Sequence, residues 1–413
     1  MDAGNIGFMI ICSALVFFMT PGLAMFYGGL VRKKNVVNTM MSSIFIIGTG
    51  AVMWVLFGYS LSFSPSENGF IGNLNWAGYE GVSLTEGYSQ DSAIPNMVFS
   101  VFQMMFAILT PALITGAVAG RMKFKSLFLF IVFWSVIVYY PLAHMVWAQG
   151  GLLSADGIGA LDFAGGDVVH ISSGISALVL CIILGKRYDY EKAVYRVHNI
   201  PTVVLGAAIL AFGWFGFNAG SALEANGQAA HAFAATITSA AASLLVWMIC
   251  DMIAYKKPTL IGACTGLIAG LVGITPAAGF VPIWASLIIG FTSAQVCFLF
   301  ISFAKKKLKF DDALDAFSCH GVGGIWGGLL TGIFAAENIG GVDGAVFGNW
   351  KQFWAQAEGI AITIAISVAG TLICFFLTRM IAGPIRAGAK DEMLGLDATE
   401  HGESAYPAFN GLE

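Results

Sequence analysis

Ala164-Gly165-Gly166-Asp167-Val168-Val169-His170-Ile171-Ser172-Ser173-Gly174-Ile175-Ser176-Ala177-Leu178-Val179-Leu180-Cys181-Ile182-Ile183-Leu184-Gly185 is the stretch on which the fold turns. Its length matches the roughly 20 mostly apolar residues a membrane-crossing helix needs. Asp167 and His170 interrupt it, so hydropathy alone leaves it weak. Counting it as a crossing segment orders the basic residues on either side; omitting it scrambles them.

Outward from this segment, apolar stretches of similar length cover 6–31, 36–62, 94–120, 126–147, 200–219, 229–254, 259–275, 281–304, 316–336 and 357–382. With 164–185 they make eleven candidate spans. The second weak one, 316–336, carries His320 and six glycines. Loops on one side then hold Arg32–Lys34, Arg121–Lys125, Lys186–Arg196, Lys256–Lys257 and Lys305–Lys309, and the last span and tail add Arg379, Arg386 and Lys390. Of the 20 Lys and Arg residues, Lys351 alone falls on the other side. Basic loops stay cytoplasmic, so the N-terminus is expected outside and the C-terminus inside.

Composition agrees: 57% of residues are hydrophobic and 11% charged, against about a quarter charged in soluble domains. A net charge of −4 gives no reason to expect nucleic acid or a charged macromolecule. All seven cysteines lie in apolar stretches without a CxxC pair, which makes them packing residues rather than disulfide or zinc partners. Met1–Asn5 has no basic run, so residues 6–31 read as a mature span and not a signal peptide. No phosphate-binding loop, metalloprotease motif or hydrolase elbow occurs. The expected organisation is an all-α membrane domain over 1–382 and a cytoplasmic tail over 383–413.

Five spans precede the loop at 186–199 and five follow it before the last. Phe26-Tyr27-Gly28-Gly29 parallels Phe217-Asn218-Ala219-Gly220, and Asp167 with His170 parallels Asp315 with His320. An odd number of spans per half makes this an inverted repeat, whose transport site lies near the membrane midplane. Ionisable residues within spans are costly and mark function, which singles out His170 and His320; the plainer reading is a histidine that only bonds a neighbouring helix. As simple spans, the two histidines sit near opposite faces. They meet only if both helices start deep in the membrane, and the polar segments Gly165-Gly166-Asp167 and Asp311-Asp312 permit that. Asp162 and Asp167 line a cation entrance or cap the fifth helix, and capping is the commoner role. Trp147 ends the fourth span, where an interfacial belt is the default. Phe102 and Phe106 share a helix face, a spacing that suits packing as well as gating.

Phe102-Gln103-Met104-Met105-Phe106-Ala107, Ala143-His144-Met145-Val146-Trp147, Leu161–His170, Gly213-Trp214-Phe215-Gly216-Phe217-Asn218-Ala219-Gly220-Ser221 and His320-Gly321-Val322-Gly323-Gly324 occur in order. Together they make the chain resemble the ammonium transporter family (Amt/Mep/Rh), in its bacterial and archaeal branch, from about residue 5 to Tyr406. The resemblance implies an external ammonium site of Trp147, Phe106 and Ser221, with Asp162 a structural acid beside it. Phe106 and Phe217 would form a stacked gate, with His170, His320 and Trp214 lining the pore below. No cofactor or metal is implied. Ammonium would be recruited against aromatic faces and deprotonated, and ammonia would pass along neutral histidines; methylammonium would act as an analogue. Further implications are a homotrimer in the inner membrane and, at Gly395-Leu396-Asp397 through Tyr406-Pro407, an ordered tail whose partner is a PII signalling protein. A haem protein using both histidines as axial ligands is the alternative from another class, and a sensor is the third reading.

Overall fold

In a computed structural model of the chain, residues 2–89, 92–190, 195–308 and 310–406 are described. Lys192 and Lys309 of the basic loops, and the tail from Pro407 onward, lie outside the described residues. Among the described residues the structure is all helical, with two isolated backbone bridges, Gly87 with Pro95 and Met122 with Arg386, in place of strands.

Among the described residues, nine helices are long and apolar enough to cross a membrane. In chain order they are α1 (Ala3–Leu30), α2 (Lys33–Phe63), α3 (Asn96–Val118), α4 (Phe124–Trp147), α5 (Gly166–Leu184), α6 (Ile200–Gly220), α7 (Gly227–Tyr255), α9 (Ile283–Phe303) and α11 (Trp350–Ala382). Between them sit the shorter apolar α8 (Leu260–Ile274) and α10, residues 317–334. The last helix starts at Trp350 rather than at 357. Its first turns are polar on their buried side, where Gln352 Nε2 donates to Gly159 O at 2.9 Å and Gln356 Nε2 to Leu161 O at 2.7 Å. Trp350 and Trp354 face outward, so hydropathy counts these turns as a loop.

Lipid offers no hydrophobic drive between helices, so small residues that let backbones approach decide which pairs form. Helix α1 packs along α6: a Cβ on Gly206 would stand 2.2 Å from Phe26 N, and one on Gly213 2.1 Å from Met19 Cγ. Helix α5 crosses α10 just as closely, since a Cβ on Gly174 would lie 2.2 Å from Gly321 N. That crossing sets the backbones carrying His170 and His320 side by side.

The face bearing the basic loops is locked by charge. Arg121, fully buried, reaches Asp311 Oδ2 at 3.0 Å, and Arg187 NH2 reaches Asp311 Oδ1 at 2.5 Å. Burial would raise the Asp311 carboxyl. The hydrogen bonds and charge of Arg187, with the charge of Arg121, outweigh it and hold the group below the usual carboxylate range. The tail lies across the same face. Asp397 Oδ1 accepts from Asn38 N at 2.8 Å, in the first turn of α2, and Leu396 N donates to Asn35 Oδ1 at 2.9 Å. Glu392 bridges Arg386 Nε at 2.6 Å and Tyr188 N at 3.1 Å.

The α1–α6 crossing makes a clear expectation. Gly206→Val should lower the thermal stability of the detergent-solubilised protein by about 1–3 kcal/mol or prevent folding, as overpacking does. Gly7→Val on the same α1, where nothing lies within 4 Å of the added Cβ, should leave the melting curve in place. Equal curves for the two variants would remove the crossing from its central role.

Candidate functional site

A helix that starts inside a protein in lipid leaves up to four N–H groups without partners. Two helices here do so. Before α5, the Asp162 carboxylate accepts from Gly165 N at 2.8 Å and Gly166 N at 2.5 Å through Oδ1. Its Oδ2 accepts from Asp167 N at 2.8 Å and Val168 N at 3.3 Å. Before α10, Asp312 accepts from Ala316 N at 3.0 Å and Phe317 N at 2.9 Å. Gly165 (φ +125°) and Asp315 (φ +58°) make the tight turns that bring each carboxylate back to its helix.

This differs from the expected pairing of acids with histidines. Asp167 lies inside the first turn of α5, and its Oδ1 has no partner, so it caps nothing. The acids with equivalent roles are Asp162 and Asp312, and in each case the histidine follows at the same distance, His170 and His320. Both histidines sit on wide π turns, Gly166–Ile171 and Phe317–Gly321, a distortion frequent at functional sites.

The histidines meet. Their rings stack with centroids 5.2 Å apart at 20°, and Nδ1 of one lies 3.2 Å from Nδ1 of the other. One Nδ1 must donate and the other accept, so at least one ring is a neutral imidazole. His170 Nε2 is buried without a partner. Trp214 stacks on His170 at 5.4 Å and 21°, fixed by its own Nε1 donating to Thr275 Oγ1 at 2.9 Å.

Above the pair, Phe217 lies parallel to His170 at 6.0 Å, and Phe106 meets Phe217 at 4.5 Å. The two phenyl rings are tilted by 45° rather than stacked. Both are buried. Trp147, half-buried, meets Phe106 edge to face at 5.8 Å, and its Nε1 donates to Asp162 O at 3.0 Å. One residue thus caps α5 with its side chain and orients Trp147 with its backbone. Ser221, half-buried at the end of α6, donates its hydroxyl to Phe217 O at 2.9 Å. Below the phenyl pair lies an apolar cavity of about 20 Å³ bounded by Leu109, Leu113, Trp214, Ile268 and both histidines. That is room for about one water-sized molecule at a time. His320 also borders a vestibule of about 510 Å³ on the basic face, with Tyr27, Asp312 and Asp315 in its wall.

The predicted residues therefore form one column: Trp147, Phe106, Phe217, His170 and His320 in sequence, Trp214 beside the pair, Asp162 behind Trp147, and Ser221 at the end of the helix that carries Phe217. Sequence reasoning reaches Asp312 only as part of the polar Asp311-Asp312 entry and not as a cap, and it does not reach Thr275. Asp312 had a usable signal in its spacing to His320, identical to that of Asp162 to His170; Thr275 had none.

The profile of the Ammonium Transporter Family matches residues 7–406. An ammonium transporter of Bacillus subtilis is 49% identical over 408 residues, covering 98% of this chain and 99% of that one. The ammonium transporter Amt1 of Archaeoglobus fulgidus is 42% identical, covering 98% of this chain and 100% of that one. Among solved structures, Mep2 of Saccharomyces cerevisiae superposes with a TM-score of 0.86 at 39% identity, over 92% of this chain and 86% of that one.

If Asp312 holds α10 as Asp162 holds α5, Asp312→Ala should cost about 1–2 kcal/mol of stability, the usual loss for a helix cap. Asp312→Asn, which keeps one acceptor oxygen, should recover about half. Thermal unfolding in detergent reads both; an Ala variant as stable as wild type would leave the carboxylate without a capping role.

Proposed function

Because the chain belongs to the ammonium transporter family, we propose that it carries ammonium, or ammonia derived from it, across the cytoplasmic membrane. The observation that best supports this is the hydrogen-bonded His170–His320 pair in an apolar cavity sealed above by Phe106 and Phe217. Ammonium and potassium ions are close in size and charge, so a sieve cannot separate them. Ammonium can lose a proton. A bare cation in the cavity would meet no counter-charge and a large desolvation cost, whereas ammonia fits the free volume and can hydrogen-bond to an imidazole nitrogen.

In this mechanism Trp147 and Phe106 receive the cation at the mouth, a contact worth about 2 kcal/mol when desolvated, and Ser221 and Asp162 complete the site. Deprotonation occurs at or below the Phe106–Phe217 gate, the imidazole nitrogens of the His170–His320 pair being the bases there to take the proton, and ammonia then moves past Trp214, His170 and His320 to the vestibule. The haem alternative fits poorly: the imidazoles bond directly to each other, leaving no gap for an iron between them. Nine long helices among the described residues, taken with α8 and α10, support a reading of eleven crossings, with the basic face cytoplasmic by the positive-inside rule. The pairing of α1 with α6 and of α5 with α10 supports two inverted halves over spans 1–5 and 6–10. The chain is one membrane domain over 1–382, acting as a homotrimer with a pore in each protomer, and a cytoplasmic tail over 383–413.

Ammonium-evoked current and uptake in liposomes test the pore. His170→Ala and His320→Ala should insert and fold yet lose selective transport. Trp147→Leu should weaken ammonium binding up to roughly thirtyfold, the equivalent of the lost 2 kcal/mol, and blur its competition with methylammonium and potassium. Normal, potassium-excluding transport by both histidine variants would overturn the mechanism.

The tail carries a second expectation. A PII signalling protein from the same cell should bind the cytoplasmic face and block uptake, and deletion of 395–413 should impair transport or its control, because Leu396 and Asp397 hold the start of α2. Pull-downs across ATP, ADP and 2-oxoglutarate check this. Failure to bind in every state, with full activity of the truncated chain, would count against it.

A further inference from the structure

The first turn of α5 carries an acid that the proposed mechanism does not use. Asp167 is 4% exposed, and an ionisable group inside a span is costly and marks function. Two carboxyls stand together here, since Asp167 N itself donates to Asp162 Oδ2 at 2.8 Å. They are not equivalent. Asp162 accepts from four backbone N–H groups, and such donors favour the charged form of a carboxyl. Asp167 Oδ1 accepts from none. Among the described residues no lysine or arginine pairs with it. The group faces α11: a Cβ on Gly359 would stand 3.9 Å from Asp167 Oδ2, and Thr363 lies beside the carboxyl. Thr363 is fully buried, and its Oγ1 is likewise without a partner. The other titratable group of this turn, His170, turns to His320 instead.

We infer that Asp167 is a neutral, protonated acid that donates its O–H to Thr363 and so acts as a positioning residue for His170. A second charge beside Asp162 would meet a like charge and a large desolvation cost. A protonated carboxyl avoids both. Its O–H supplies a donor to Thr363 Oγ1, so one bond satisfies two orphaned atoms. Asp167 and His170 belong to the same π turn, Gly166–Ile171. Asp162 grips that turn by its backbone, and α10 presses on it where a Cβ on Gly324 would stand 3.1 Å from His170 Cβ. The Asp167–Thr363 bond adds a third support, from α11. It fixes the rotation of the turn that sets His170 Nδ1 3.2 Å from His320 Nδ1.

Infrared difference spectra of the full chain in liposomes, wild type minus Asp167→Asn, read the protonation state directly. At neutral pH the variant should lose a carboxylic acid C=O band. Loss of carboxylate bands in its place would overturn the inference. Thr363→Val should shift the acid band, because the O–H loses its acceptor, while Thr363→Ser should leave it where it is. A band that Thr363→Val does not move would remove Thr363 as the partner and overturn the support from α11. These spectra do not depend on what the pore carries. Transport in the same liposomes is the second arm, and it rests on the proposed pore. Asp167→Asn keeps a neutral donor and should retain both the apparent KM for ammonium and the maximal rate. Asp167→Leu and Thr363→Val should lower the maximal rate severalfold at unchanged KM, since His170 is displaced while the external site stays intact. A raised KM in Asp167→Asn would make the carboxyl a charge serving that external site and overturn the neutral assignment.

Discussion

Two helix N-termini buried in the middle of a membrane protein are the constraint on which the rest of this structure depends. Each exposes backbone N–H groups where no water can satisfy them, and each unsatisfied group costs several kcal/mol. Asp162 answers this for α5 with four N–H contacts, and Asp312 answers it for α10 with two. Without them, α5 and α10 would have to begin at opposite faces, and His170 and His320 would be separated by most of the bilayer. The histidines can meet only if α5 and α10 also touch near these deep starts. The backbone contact of Gly174 with Gly321 meets that requirement.

Once the histidines are adjacent, the surroundings determine what they can do. Both rings stand in the first turns of their helices, whose starts are capped by the carboxylates of Asp162 and Asp312. Trp214 and Phe217 cover the faces of His170, while Leu109, Leu113 and Ile268 close the remaining sides. Among the polar groups bordering the cavity, the Tyr27 hydroxyl is bonded to Leu113 O and the Trp214 N–H to Thr275 Oγ1, while His170 Nε2 has no partner. On the proposed mechanism, such a cavity would reject ions by denying them solvation and admit a small neutral base by offering it one hydrogen bond at a time. Selection by chemistry would then replace selection by size.

Much of this was legible in the residues. The apolar stretches located the helices to within a few positions, and the basic loops ordered them. The two intramembrane histidines stand out in the sequence, and the structure brings them into contact. The misreadings share a cause: local sequence carries no direction. Asp167 stands closer to His170 than Asp162 does and so looked like its partner, but the glycine turn at Gly165 swings Asp162 back over the helix start. Asp315 displaced Asp312 in the same way, because its left-handed backbone conformation cannot be read from its identity. The first turns of α11 were lost because Gln352 and Gln356 face inward, where they bond the carbonyls of 159 and 161. Polar residues turned toward a protein interior look, by hydropathy, like a loop.

The basic face shows how the same logic links the pore to the tail. Asp311 precedes the cap Asp312 by one residue, and Arg121 and Arg187 fix it to the ends of α3 and α5. Arg121 is therefore not a free surface charge marking topology but the buried post against which α10 is set. The tail is hung from neighbouring posts: Ala387 N donates to Arg121 O at 2.8 Å, Arg386 NH1 to Leu184 O at 2.8 Å, and Phe124 N to Glu400 Oε2 at 3.0 Å. Asp397 does for α2 what Asp162 and Asp312 do for α5 and α10, with the difference that its cap comes from the far end of the chain. Burial pushes its carboxyl up, and the N–H groups of Asn38, Val37 and Val36 only partly offset that. The tail thereby ties the start of α2 to the frame around Arg121 and Asp311, one residue from the acid that caps α10.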